Sequence, residues 1–192
     1  MTGIKAQAGL IRIATTLSVK ALEEACVVAV NYPNFTTAFG SAGEHHAYEG
    51  GLAIHTEEVV TFAMNMCRMF PNADEDVVIT AAIFHDLMKI REYNPMYSCN
   101  PFHPNTVVGI QKTPYRNLVR HVAGSHAEFL KCIAGKEVPE SKELNIEHAI
   151  LAHHGRKEHG SPIEPQTVEA YILHYADMLS VKFGPATKRL DQ

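Results

Sequence analysis

The chain has 192 residues, 46% of them hydrophobic and 20% charged, with a formal net charge of −4. This length suffices for one compact domain with a substantial core. The mild acidity argues against a strongly electrostatic, sequence-blind nucleic-acid binder, while leaving room for a local basic patch. The longest apolar runs fall well short of the ~20 residues that span a bilayer. The N-terminal segment lacks the continuous apolar region and small-residue cleavage site of a signal peptide, so no membrane association is expected.

Taken in chain order, the pattern is helical almost throughout. Residues 4–14 and 18–30 read as two helices, the second with a one-sided stripe at Leu22, Cys26, Ala29 and Val30. Pro33 and Asn34 stop it, and a loop of small residues runs from Thr36 to Gly43. A third helix is expected over 52–70, after Gly50–Gly51, and a fourth over 73–88, with Asn72 as N-cap and Glu75 completing a capping box. Residues 91–113 read as a long loop with three prolines and two tyrosines, of the kind that shapes substrate access. Thr113–Pro114 reads as N-cap and N1 of a helix over 114–134. Helices over 143–154 and 165–182 follow, and the tail after Gly184 is expected to fray or to project to a partner. No alternating run bounded by hairpin turns suggests strands. The expected fold is therefore all-α and single-domain across 1–192. Cys26, Cys67 and Cys132 sit within helical patterns and no Cys-x-x-Cys occurs, as expected of reduced, core-packed thiols in a cytoplasmic protein.

The chain carries 12 histidines, which raises the prospect of a metal site because imidazole is the commonest transition-metal ligand. The central feature is AAIFHDLMKI, residues 81–90, where His85 and Asp86 stand side by side at the end of an apolar helix. Adjacent helical residues point about 100° apart, so both reach one ion only near a helix end or kink. By itself a His-Asp dipeptide is most simply a polar helix end. Asp177 lies in the final helix with largely apolar flanks, where an unpaired carboxylate would be costly to bury and a metal would compensate it. His55 follows GGLAI at the start of a helix, where the alternative to a ligand is a surface residue at the helix N-terminus.

The order His55, His85–Asp86, Asp177 resembles the HD superfamily of metal-dependent phosphohydrolases. The segments HHAYEGGLAIHT (45–56), AAIFHDLMKI (81–90), HAILAHHGRKEHGSP (148–162) and EAYILHYADMLSVK (169–182) are similar to the HD part of bacterial 3′-to-5′ exoribonucleases that join an OB-fold to an HD domain. The resemblance implies an HD-type helical domain with its core over 45–182 and a helical extension over 1–40. It implies a divalent ion (Mn, Fe, Co, Ni, Mg or Zn) held by His55, His85, Asp86 and Asp177. His121 and the pair His153–His154 match positions that supply ligands to a second ion in some members. Lys89 matches the motif lysine and is expected to neutralise charge on a phosphoryl group, although a lysine at a helix C-terminus also satisfies the dipole. His46 and Arg156 are further candidates to meet substrate, and His121 is a candidate to assist the leaving group. Two features depart from the pattern: Met88 stands where the family motif has glycine, and the segment ahead of the HD region reads as helices rather than an OB-fold, so RNA degradation does not carry over directly.

The chemistry implied is hydrolysis of a phosphoester of a nucleotide or nucleic-acid 3′ end by metal-activated water, with Asp86, Lys89 and His121 as catalytic groups. The alternatives are a nucleoside triphosphate triphosphohydrolase and a non-catalytic nucleotide-binding HD module; an intact ligand set argues against the last. Homo-oligomer formation is left open. No nucleophile elbow and no phosphate-binding P-loop is present.

Overall fold

The computed structural model describes residues 2–43, 45–104 and 106–183. The chain tail expected to fray lies outside them. Eight α-helices carry the fold: α1 (Gly3–Ala14), α2 (Lys20–Val30), α3 (Gly51–Cys67), α4 (Glu75–Phe84), α5 (Pro114–Leu118), α6 (His121–Ile133), α7 (Glu140–Ala152) and α8 (Val168–Phe183). The architecture is mostly helical, as expected for an HD-type domain.

Helix α4 is the axis of the molecule. Asp74 starts it, its carboxylate accepting from the backbone N–H groups of Asp76 and Val77. The expected cap at Asn72 is therefore two residues too early. Every residue from Asp76 to Phe84 is buried, because α4 is apolar on all sides and its neighbours α1, α2, α3, α6, α7 and α8 enclose it. The helix ends sooner than expected. Asp86 takes a non-helical conformation, and a short 3-10 helix over Leu87–Arg91 continues the chain. The central helix thus delivers His85 and Asp86, at its C-terminal end, into the protein interior. Its flanking helices share one apolar core that includes Leu10 of α1, Leu22 of α2, Phe129 of α6 and Leu173 of α8.

Two glycines set the entry to α3. Gly50 has φ 82°, a left-handed value that favours glycine. At Gly51 a Cβ would stand 2.0 Å from the His46 carbonyl oxygen, so only glycine fits. The helix N-terminus is thereby pressed against the 45–50 turn, which brings His45 and His46 over His55, with ring centroids 5.6 and 5.2 Å away.

Residues 91–113 hold an antiparallel hairpin where a loop was expected. β1 (Tyr93–Tyr97) pairs with β2 (Val107–Lys112), in register from Tyr93 opposite Lys112 to Tyr97 opposite Val107, with an irregularity after Met96. Its side chains are mostly exposed, so no face is buried and no alternation marks it. The helix expected over 114–134 is broken in two at Val119–Arg120, where Arg120 has φ 67°. The Thr113–Pro114 start holds. Cys26 and Cys67 are buried, Cys132 is half-buried, Cys99 is exposed, and all four are free thiols.

Candidate metal centre

The four ligands nominated first converge from two helices, α3 and α8, and the α4 terminus. His55 Nε2 lies 3.3 Å from Asp86 Oδ2, 3.2 Å from Asp177 Oδ1 and 3.3 Å from His85 Nε2. His85 Nε2 lies 3.3 Å from Asp86 Oδ2 and 4.0 Å from Asp177 Oδ1. Donors bonded at about 2.0–2.2 Å to one ion sit roughly 3.0–3.5 Å apart in octahedral or tetrahedral arrangements; His55, His85 and Asp86 have that spacing, and Asp177 approaches it through His55.

A second cluster faces the other oxygen of the same carboxylate. Asp86 Oδ1 lies 3.3 Å from His121 Nε2 and 3.7 Å from His153 Nε2, and His121 Nε2 lies 3.2 Å from His154 Nε2. Asp86, His121, His153 and His154 each present one donor within 4.8 Å of the others. Asp86 Oδ1 and His153 Nε2 are buried without a hydrogen-bond partner among the described residues. Buried polar atoms left unpaired are costly, and a cation would compensate both.

The family model for the HD domain matches residues 52–182. The chain belongs to the HD-domain family. Curated proteins named 3′-5′ exoribonuclease YhaM are similar to it. The one from Bacillus licheniformis is 31% identical over 85% of this chain and 46% of its own length. The Bacillus subtilis protein is 32% identical over 77% of this chain and 44% of its own length, and that of Bacillus velezensis is 33% identical over 79% and 45%. The chain spans less than half the length of these relatives. No solved structure matches it significantly.

The HD site's histidines have their orientation set by hydrogen bonds at the other ring nitrogen. His85 Nδ1 meets the Ala82 carbonyl at 2.7 Å and His153 Nδ1 the Ile150 carbonyl at 2.7 Å. A carbonyl only accepts, so both Nδ1 atoms carry a proton and both Nε2 atoms are turned toward the clusters. His121 Nδ1 meets Glu92 Oε1 at 2.9 Å, and the His121 backbone N–H donates to the same oxygen at 2.7 Å. His55 Nδ1 lies 2.8 Å from Ser180 Oγ, which donates to Glu58 Oε2 at 2.7 Å. Glu92, Ser180 and Glu58 were not legible as site residues. Their only sequence signal is position, a carboxylate after a helix break and a serine one turn after Asp177.

The electrostatics differ between the clusters. Burial disfavours a charged His55, but hydrogen bonds to Asp177 and Asp86 outweigh it and lift its pKa to about 9. Burial likewise opposes ionisation of Asp86, yet Lys89, His85 and His121 hold its pKa well below the usual carboxylate range. Burial also opposes ionisation of Asp177, and the hydrogen bond from His55 overcomes it, lowering the pKa. In the second cluster burial pushes His153 well down and His154 to about 4, with neighbouring imidazoles adding to the effect. These rings are neutral at pH 7 and available as ligands.

The remaining candidates fall in different places. Lys89 is nearly buried, and its ammonium contacts Asp86 Oδ2, so it serves more than a helix end. Met88 is buried, and its backbone N–H donates to Ser125 Oγ at 3.1 Å. It fits at the family's glycine position because the facing residue is Gly124, where a Cβ would stand 3.1 Å from that of Met88. His46 is buried, with Nε2 3.1 Å from Glu58 Oε2, so it joins the Glu58–Ser180–His55 chain. Arg156 stands apart, paired with Glu158 on the exposed surface at 3.2 Å.

Proposed function

We propose that this chain is a metal-dependent phosphohydrolase that cleaves a phosphoester at the 3′ end of a nucleic acid or in a nucleotide, at a centre for two divalent ions. The observation that carries the reading is the Asp86 carboxylate, whose two oxygens face two separate histidine clusters. A bridging carboxylate of this kind suits paired ions. The first set is His55, His85, Asp86 and Asp177, and the second is Asp86, His121, His153 and His154. Their nitrogen-rich donors favour Mn, Fe, Co, Ni or Zn over Mg. When bound, such ions polarise a phosphoryl oxygen and lower the pKa of water.

The chain's own groups do the rest. The Lys89 ammonium, held on Asp86, supports a role in neutralising charge on the phosphoryl oxygens. His121 Nδ1 is held by Glu92 Oε1 at 2.9 Å, which turns Nε2 toward Asp86 and His154. This favours a ligand role for His121 over the acid role considered above. Nucleotidyl substrates are favoured by a cavity of about 220 Å³ between the 34–49 loop and the hairpin, lined by Phe39, Tyr93, Tyr97, Asn34 and Asn94. Its aromatic rings and amides suit stacking and edge recognition of one base. The exoribonuclease relatives support the same substrate class.

The test incubates the purified chain with Mn²⁺ and 5′-labelled short RNA, nucleoside triphosphates and cyclic dinucleotides. Stepwise shortening of RNA from the 3′ end is expected. Release of triphosphate would instead favour the nucleoside triphosphate reading. Binding of nucleotides with no phosphoester cleaved under any divalent metal would overturn the enzyme.

A further inference from the structure

Arg120 occupies a backbone conformation that a non-glycine residue rarely adopts, with φ 67° and ψ 157°. This region is essentially restricted to glycine, and side chains forced into it cluster at ligand clamps and active sites. The strain is held in place from both sides. The Arg120 N–H donates to the Tyr115 carbonyl at 3.0 Å, and its own carbonyl accepts from Gly124 N–H at 3.2 Å.

The side chain comes up beside the His154 ring, at the edge of the second cluster. At Gly160 a Cβ would stand 2.9 Å from Arg120 Nη1 and 3.6 Å from His154 Nδ1. The guanidinium and the His154 ring therefore both border Gly160. His154 Nδ1 is buried and has no hydrogen-bond partner among the described residues. By contrast, Arg91 lies over the Tyr115 ring, Arg116 over the Tyr93 ring, and Arg156 is paired with Glu158. Among the described residues no carboxylate lies within ion-pair distance of Arg120, which is exposed. A planar cation is thus held, at the expense of backbone strain, beside the second cluster with its fork unused.

We propose that Arg120 is a substrate-binding residue that grips the oxygens of the phosphate presented to the His121–His153–His154 cluster. The inference rests on the phosphohydrolase reading and deepens it. A guanidinium binds two phosphate oxygens at once, which a lysine cannot do. His121 follows Arg120 directly, so the same break between α5 and α6 places the ligand and the clamp.

The test compares Arg120→Gly and Arg120→Lys with the parent chain, all Mn²⁺-loaded. Arg120→Gly relieves the strain, so its Tm should rise by a few degrees while metal content stays unchanged. Its affinity for inorganic phosphate, read by calorimetry, should fall about 10- to 100-fold, the worth of a charge-assisted contact. Its kcat/KM on RNA should fall on the order of 10²-fold, with Arg120→Lys intermediate in both readouts. Unchanged phosphate affinity in Arg120→Gly, or no phosphate binding by the parent chain, would overturn the assignment. A parent chain that binds phosphate through Arg120 but cleaves nothing would sustain it and remove the catalytic reading instead.

Discussion

The two ends of α4 are both crowded with charge, and they differ in how that charge is satisfied. At the N-terminal end Asp76 accepts from the Ser18 backbone and hydroxyl, and Lys142 reaches both Asp74 and Asp76 at 2.6 and 3.1 Å. Glu169 accepts from the Asp74 N–H and from Asn145, each at 2.9 Å. Every one of these carboxylates has partners within the chain. At the C-terminal end Asp86 Oδ2 is compensated by Lys89 and His55, but among the described residues Asp86 Oδ1, His153 Nε2 and His154 Nδ1 are buried without a hydrogen-bond partner. A polar cluster that closes on itself needs nothing further to be stable. One left open retains a cost that a bound cation and a substrate can remove.

Substitutions can separate the two ends. The largest effect is expected at Asp86, because one side chain serves both clusters. Asp86→Asn should lower turnover by on the order of 10³-fold or more, and elemental analysis should find both ions lost. Turnover retained near the parent level would remove the bridging role. His153→Leu comes next. It should reduce the metal count from two to one, and the metal-free protein should melt no lower than the parent, because an unpaired buried nitrogen is replaced by an apolar group. A clear drop in the metal-free Tm would show that His153 is structural, like the groups at the other end.

Smaller effects are expected one bond further out. Glu92→Gln should weaken metal affinity at the second cluster about 10- to 100-fold, and Ser180→Ala should do the same at the first. Metal titration calorimetry reads the two separately, and equal losses at both sites would break the assignment of one orienting group to each cluster.

The smallest effect on function, and a clear one on stability, belongs to the satisfied end. Burial alone would raise the Asp76 pKa, but hydrogen bonds from Ser18 and Lys142 lower it below the ordinary carboxylate value. A folded-state pKa below the unfolded one stabilises above the unfolded value near 3.9, and that stability fades as pH falls through the folded value. Asp76→Asn should therefore cost about 1–3 kcal/mol at pH 7, with metal content unchanged. The difference from the parent should shrink in acid unfolding curves below about pH 4. Altered metal content would show that the two ends are coupled along α4.

The helices were legible in the sequence because one-sided apolar stripes report which face is buried, as in α2. Three local features were not. The 93–112 hairpin buries neither face, so it leaves no period-two pattern. The cap moved from Asn72 to Asp74 because the latter's carboxylate is anchored by Lys142 of α7. The expected 114–134 helix breaks at Arg120, where no proline or glycine warns of it.

What the sequence by itself determined is the set of candidate ligands: a His-Asp pair ending an apolar helix, an aspartate in apolar flanks, and histidines in an order that resembles the HD family. Those are properties of residue type and spacing. Only the tertiary structure decided that Asp86 turns one oxygen toward His55, His85 and Asp177 and the other toward His121, His153 and His154. That division depends on the angle at which α4 ends and on where α3, α6, α7 and α8 cross it. Crossing geometry follows from side-chain packing between segments distant in the chain, which local periodicity does not encode. For the same reason Glu92, Ser180 and Arg120 took on their places only once the helices had met.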